Sequence, residues 1–323
     1  AIRQKIQPGW HTYWRNPGDS GGPTEAEWSL PPTYVAGDIV WPLPERQRLQ
    51  TLMNYGYSDV VYLPVPVEVP ASARAGERVR ISANVLFMVC SDQMCVPDEM
   101  TLAMDLLIGE GQPALDARHG EAIRAVLEIA PRPADIEARA SLDGENLNLS
   151  FASGPLAGAA PKWAYFFAFE GGVIDHAAIQ KGLKGQDGIS LSIPAGRGLK
   201  ANGLGDSVSG VLATDLGAWE VTATQGAMIG ATSGEGGLAT GEDVGTGASS
   251  GSASFWQAAL FALLGGLILN LMPCVFPVLA MKASVLSRAA HDPVEARKDG
   301  LGFLAGVLVT FVALAGLLLA LRA

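Results

Sequence analysis

The sequence predicts a mainly β protein, with β-sandwich domains followed by an α-helical transmembrane hairpin. Three observations carry this. Short apolar runs separated by Pro and Gly turns recur through residues 1–225. A Gly/Ser-rich stretch follows them, and after it come two long runs without charge. Gly 39 and Pro 20 among 323 residues are too many for an all-helical chain.

The first unit is read over residues 1–112. Residues 60–63 and 65–67 are strand-like, and residues 79–87 alternate apolar and polar before turning wholly apolar. Residues 100–108 alternate less cleanly. Residues 113–133 read as a helical connector with Leu115, Ile123, Val126 and Leu127 as its stripe, ended by Pro131 and Pro133. A second β domain follows over 134–225, with alternation at 147–151 and 189–193 and an aromatic strand at 163–169. Regular short strands with turns between them suit a β-sandwich. Residues 226–254, nearly all Gly, Ala, Ser and Thr, read as a flexible linker with too few apolar groups to offset ordering.

Charge places the rest. Lys and Arg total 22, Asp and Glu 32, for a net charge of −10, with no basic cluster. Nucleic acid is excluded as a partner on that balance. Residues 255–281 and 301–321 carry no charge, and each is long enough to cross a bilayer. The loop between them holds Lys282, Arg288, Arg297 and Lys298, whereas 226–254 holds only acids. The positive-inside rule puts that loop in the cytoplasm and the β domains outside, in the periplasm of a bacterial inner-membrane protein. The chain opens on Ala1 without a leader, in sequence already typical of a folded domain, and reads as a fragment trimmed at both ends.

Three cysteines are too few for a disulfide-stapled miniature domain or an all-thiolate zinc site. Cys90 and Cys95 are spaced C-x4-C just after the best strand, and a four-residue turn can bring them into disulfide range. Such a bridge is either a staple or a pair that is made and broken; so short a loop gives little entropic stabilisation. Met88, Cys90, Met94 and Cys95 also form a set of soft donors suited to Cu(I). Asp92 and Asp98 beside the pair either oppose a thiolate or serve the turn. Cys274 lies in the first span between Pro273 and Pro277, with Asn270 one turn earlier. Broken helix and a polar side chain at that depth point to function. His11 and His119 are far from any cysteine in sequence and receive no catalytic role. No G-x-S-x-G elbow at a strand-to-helix turn and no H-E-x-x-H metal motif is found, which argues against a classical hydrolase.

At these residues the sequence resembles a family. Residues 265–282, GGLILNLMPCVFPVLAMK, are similar to the first transmembrane segment of the DsbD thiol:disulfide interchange proteins, and share a Pro-Cys pattern with CcdA. GWHTYWRNPGDSG at 9–21, NYGY at 54–57 and residues 90–97 resemble the periplasmic DsbC-like domain of that family, in its ScsB-like branch. The resemblance implies an immunoglobulin-like sandwich holding Cys90 and Cys95, with Cys274 as one member of a membrane pair. It implies a protein-disulfide reductase that relays electrons from cytoplasmic thioredoxin, through the membrane domain, to periplasmic disulfide and thioredoxin-like partners. Those partners serve disulfide isomerisation, cytochrome c maturation or copper tolerance. It requires no cofactor and no metal. Tyr55 and Tyr57 match an aromatic cap loop over the cysteines, although Asn54 stands where an aromatic is expected; Asn270, Pro273 and Pro277 would support the membrane site. The 9–21 run reads as structural, with aromatic packing, a Pro17-Gly18 turn and Arg15 as an anchor. Two departures matter. No C-x-x-C is present, and the second membrane cysteine is missing, so the relay is incomplete in this chain. The competing reading is a non-enzymatic copper- or partner-binding module with a structural disulfide.

Overall fold

The computed structural model describes residues 1–111, 114–230, 232–234, 236–238 and 306. All of these but Gly306 belong to one compact unit, Ala1–Gly247. The two uncharged runs, with Asn270, Pro273, Cys274 and Pro277, lie outside the described residues. Among the described residues no helix is long and apolar enough to cross a membrane.

The first β module contains β1 (Ile2–Lys5), β2 (Thr12–Gly18), β3 (Glu25–Ser29), β4 (Val35–Ala36) and β5 (Glu45–Leu49). It continues with β6 (Leu52–Tyr57), β7 (Val60–Leu63), β8 (Val67–Glu68), β9 (Arg78–Cys90) and β10 (Cys95–Leu107). Its sheets run β10-β9-β3, β2-β6-β5, β1-β7 and β4-β8, and every pairing is antiparallel. The alternation read at 79–87 is real: Val79, Ile81, Ala83 and Val85 are buried along β9, with polar neighbours between them. β10 is an edge strand, exposed along its whole length. A cleft of about 450 Å3 separates it from β1.

The connector forms α1 (Gly120–Ile129). His119, just before it, shares a hydrogen bond between Nδ1 and the Tyr62 hydroxyl (3.0 Å), which ties the helix start to β7.

The second module holds β11 (Arg132–Pro133), β12 (Glu137–Asp143), β13 (Asn146–Ala152), β14 (Ala164–Ala168), β15 (Lys181–Gly185) and β16 (Gly188–Pro194). After them come α2 (Arg197–Asn202), β17 (Ser207–Thr214), β18 (Gly217–Gln225) and β19 (Gly236–Gly237). One sheet runs β14-β17-β18-β12-β13-β16-β15-β19, with β11 also paired to β18. Leu147, Leu149, Phe151, Ile189, Leu191 and Ile193 fill its core.

The linker expected over 226–254 begins as ordered chain. The Ile229 N–H donates to Ser150 Oγ (3.0 Å), β19 pairs with β15, and Leu238 is buried in the second core. A Cβ on Gly182 would lie 2.9 Å from Leu238, so glycine there makes the room. A few apolar side chains suffice because a free sheet edge supplies the backbone partners.

The two modules share a core. β14 is buried at all five positions because both its faces are covered. Phe166 turns into the second core, while Tyr165 and Phe167, with Val211 and Ala213 opposite them on β17, join Trp14, Met53, Tyr55 and Val85 of the first.

Candidate functional site: the β9–β10 disulfide

Antiparallel pairing of β9 and β10 sets Cys90 directly opposite Cys95, and the two form a disulfide. The four-residue turn Ser91–Met94 closes the hairpin. The Ser91 N–H donates to the Met94 carbonyl (2.8 Å), and Ser91 Oγ accepts from the Gln93 and Met94 N–H groups (3.2 Å each). Backbone bonds between Ser91 and Met94 leave the next rung, Cys90 and Cys95, as a non-hydrogen-bonded pair. That is where facing strands come closest, and the Cα atoms are 4.1 Å apart. The Cys90 N–H and carbonyl point the other way, into a reciprocal bridge with His11 (3.0 and 2.9 Å).

The two sulfurs differ in access. Cys90 is 1 % exposed and Cys95 is exposed. Tyr13 approaches the accessible one, its hydroxyl 3.9 Å from Cys95 Sγ. His11 Nε2 is 3.1 Å from the same hydroxyl, and the two rings meet edge to face. Burial pushes the Tyr13 phenol up, opposed by its hydrogen bond with Ser20, and burial lowers His11. His11 is therefore neutral at pH 7, with one ring N–H to donate. The Tyr13 ring lies against Gly21: a Cβ there would sit 2.1 Å from the ring, and Gly21 has φ +93°. Ser20 Oγ donates to Asn54 Oδ1 (3.1 Å), and the Asp19 carboxylate accepts from the Met53 N–H (2.7 Å), which fixes this loop to β6.

Tyr55 and Tyr57, expected in a cap loop, lie instead on β6, 0 % and 5 % exposed. Tyr57 donates to the Pro42 carbonyl (2.8 Å), and Tyr55 meets Tyr165 across the module junction (2.8 Å). Their alternation along β6 turns both inward, which is why they pack. The aromatic that touches sulfur is Tyr13, from the 9–21 run that reads as structural. The Pro17-Gly18 turn expected there is the end of β2. Asp98 accepts from the adjacent Glu99 N–H, and Asp92 sits in the turn. Met94 is exposed beside the pair, and Met88 faces Pro97 one rung inside the Val89–Val96 pair. Among the described residues no cluster of three or more His, Cys, Asp or Glu could hold a metal.

The site thus sets a buried and an exposed sulfur on one rung, with an aromatic hydroxyl at the exposed one. Residues 1–106 match the N-terminal family model of the thiol:disulfide interchange protein DsbD. The matched stretch contains both cysteines, His11 and Tyr13. The chain is also similar to the crystal structure of the N-terminal periplasmic domain of ScsB from Proteus mirabilis. The identity is 21 %, the TM-score is 0.51, and the match covers 69 % of this chain and 86 % of that one. At that identity the likeness carries the fold, here extending through both β modules. No curated protein matches the chain. The DsbD resemblance read from the sequence thus holds for the N-terminal β module.

Proposed function

We propose that the first β module exchanges disulfides with protein thiols through Cys90 and Cys95, with Cys95 as the exchanging sulfur. The observation that carries this is the asymmetry of exposure across one hairpin rung: Cys90 is 1 % exposed, whereas Cys95 is open to a partner. Thiol–disulfide exchange needs near in-line approach to one sulfur, so access selects it.

In the reduced module the Cys95 thiolate attacks one sulfur of a partner disulfide. A Cys95–partner S–S bond forms, and the partner's other sulfur leaves as a thiolate and takes a proton from solvent. Cys90, as a thiolate, then attacks Cys95 Sγ. The Cys90–Cys95 bond forms and the partner's first sulfur departs, so the partner gains two electrons and the module loses two. Tyr13 serves the first step. With His11 Nε2–H donating to the phenol oxygen, the Tyr13 O–H is free to donate to the Cys95 thiolate.

The wider reading follows from the DsbD match and the family resemblance. The module faces the periplasm of a bacterial inner-membrane protein, and its partners are periplasmic disulfide or thioredoxin-like proteins. Its reducing equivalents come from a dithiol carrier fed from cytoplasmic thioredoxin through a full-length membrane domain, in which Cys274 would be one member of the cysteine pair.

Peptide-resolved thiol trapping of the full chain in glutathione buffers tests the core of this. The expected midpoint for the Cys90–Cys95 couple lies between roughly −180 and −270 mV. In Cys90→Ser the chain should accumulate a mixed disulfide on Cys95, whereas Cys95→Ser should trap little. A midpoint below about −300 mV would mark an inert staple, and trapping mainly on Cys90 would reverse the roles.

A further inference from the structure

The second β module has no assigned part in exchange, yet it holds the strand that carries Tyr13. β2 pairs with β6 at Thr12 and Tyr13, loses register, and regains it only at Gly18. Residues 14–17 therefore have no ladder partner on β6 to place them. These are the residues that reach the second module. The Trp14 ring is 6.0 Å from Phe167 and 5.9 Å from Phe169, and it is 1 % exposed. The Arg15 guanidinium stacks 4.0 Å above Phe169. Asn16 Nδ2 donates to the Ala168 carbonyl (2.8 Å) and the Glu170 carbonyl (3.3 Å), while its Oδ1 accepts from the Gly18 N–H (3.0 Å). On the other side of Tyr13, His11 is pinned to Cys90 through backbone.

We infer that Asn16 and Phe167 are positioning residues for the Cys90–Cys95 couple: the second module anchors the unpaired half of β2, and that anchor sets the Tyr13 hydroxyl against Cys95. The inference rests on the exchange function proposed above. It predicts that disturbing the junction changes sulfur chemistry on the far side of β2, in the same direction as removing the Tyr13 hydroxyl itself. Losing a donor to the thiolate weakens the reduced form, so the equilibrium moves towards the disulfide.

The test measures, in the full chain, the exchange equilibrium of the Cys90–Cys95 pair with glutathione, read by peptide-resolved trapping. Asn16→Ala and the mild Phe167→Leu should each shift it about three- to fivefold towards the disulfide. Leu191→Ala, which injures only the second module's own core, should leave it within 1.5-fold of the parent. In a Tyr13→Phe background the Asn16→Ala shift should vanish, because the two act through one hydroxyl. The inference is overturned if both junction variants stay within 1.5-fold, if Leu191→Ala shifts the pair as far, or if Asn16→Ala keeps its full effect without the Tyr13 hydroxyl. A parent chain that does not exchange at all overturns the functional reading itself, and that result is separate because the parent is measured first.

Discussion

On the exchange function proposed above, the Tyr13 hydroxyl is what distinguishes this hairpin disulfide from a plain staple. The Tyr13 oxygen is 3.9 Å from Cys95 Sγ and is held from behind by His11. Sulfur is a soft, diffuse acceptor and the contact is long, so a contribution of about 1 kcal/mol to the thiolate is reasonable, below the ~1.5–3 kcal/mol of a tight charged hydrogen bond. Tyr13→Phe should therefore slow attack of the reduced module on a protein disulfide about two- to threefold, a roughly fivefold loss of thiolate being half offset by its greater nucleophilicity, and leave the fold intact, as stopped-flow exchange and a denaturation curve would show. An unchanged rate would reduce Tyr13 to packing. The cysteine pair was legible from its C-x4-C spacing after an alternating strand, because a hairpin turn is a local event. Tyr13 and His11 were not: 82 residues separate Tyr13 from Cys95, and only the meeting of β2 with β9 joins them.

Local pattern identified individual strands better than it identified their partners. The alternation at 79–87, 147–151 and 189–193 became β9, β13 and β16, whose buried faces it marked correctly. Over the described residues between 226 and 238 the composition misled, because average polarity hides the few apolar side chains that a sheet edge can capture. Leu238, 5 % exposed over Gly182 and Leu191, is the clearest of these. Leu238→Ala should cost about 2–3 kcal/mol, in the lower range for truncating a buried leucine, since a strand at an edge can settle partly into the space. Urea denaturation followed by tryptophan fluorescence would detect it. A loss under about 0.5 kcal/mol would return this stretch to the status of a loose linker.

At the scale of the whole compact unit, the junction between modules is a buried polar cluster inside an aromatic core. The Tyr55 and Tyr165 hydroxyls are 2.8 Å apart, His176 Nδ1 is 3.3 Å from Tyr55, and the Arg46 guanidinium stacks 4.7 Å from the Tyr165 ring. The Arg48 guanidinium adds a bond to the Ala177 carbonyl (3.1 Å). Burial drives both phenols up and His176 down, and the carboxylates of Asp19 and Asp175 only partly oppose the effect on His176. His176 Nε2 has no hydrogen-bond partner, so a proton there would be buried without an acceptor. A histidine whose folded value lies below its ordinary 6.5 binds fewer protons folded than unfolded. Its contribution to stability is whole above that value and is lost as pH falls from there through the folded one. The compact unit should therefore weaken as pH drops below about 6.5, and His176→Gln should flatten that slope. His11 is lowered by burial as well, so some slope should survive in the single variant and fall further in His11→Gln/His176→Gln. Urea midpoints between pH 7.5 and 5 decide the matter: an unchanged slope in His176→Gln would mean that the junction tolerates the proton, and that its stability rests on Trp14, Tyr55 and Phe167 packing alone.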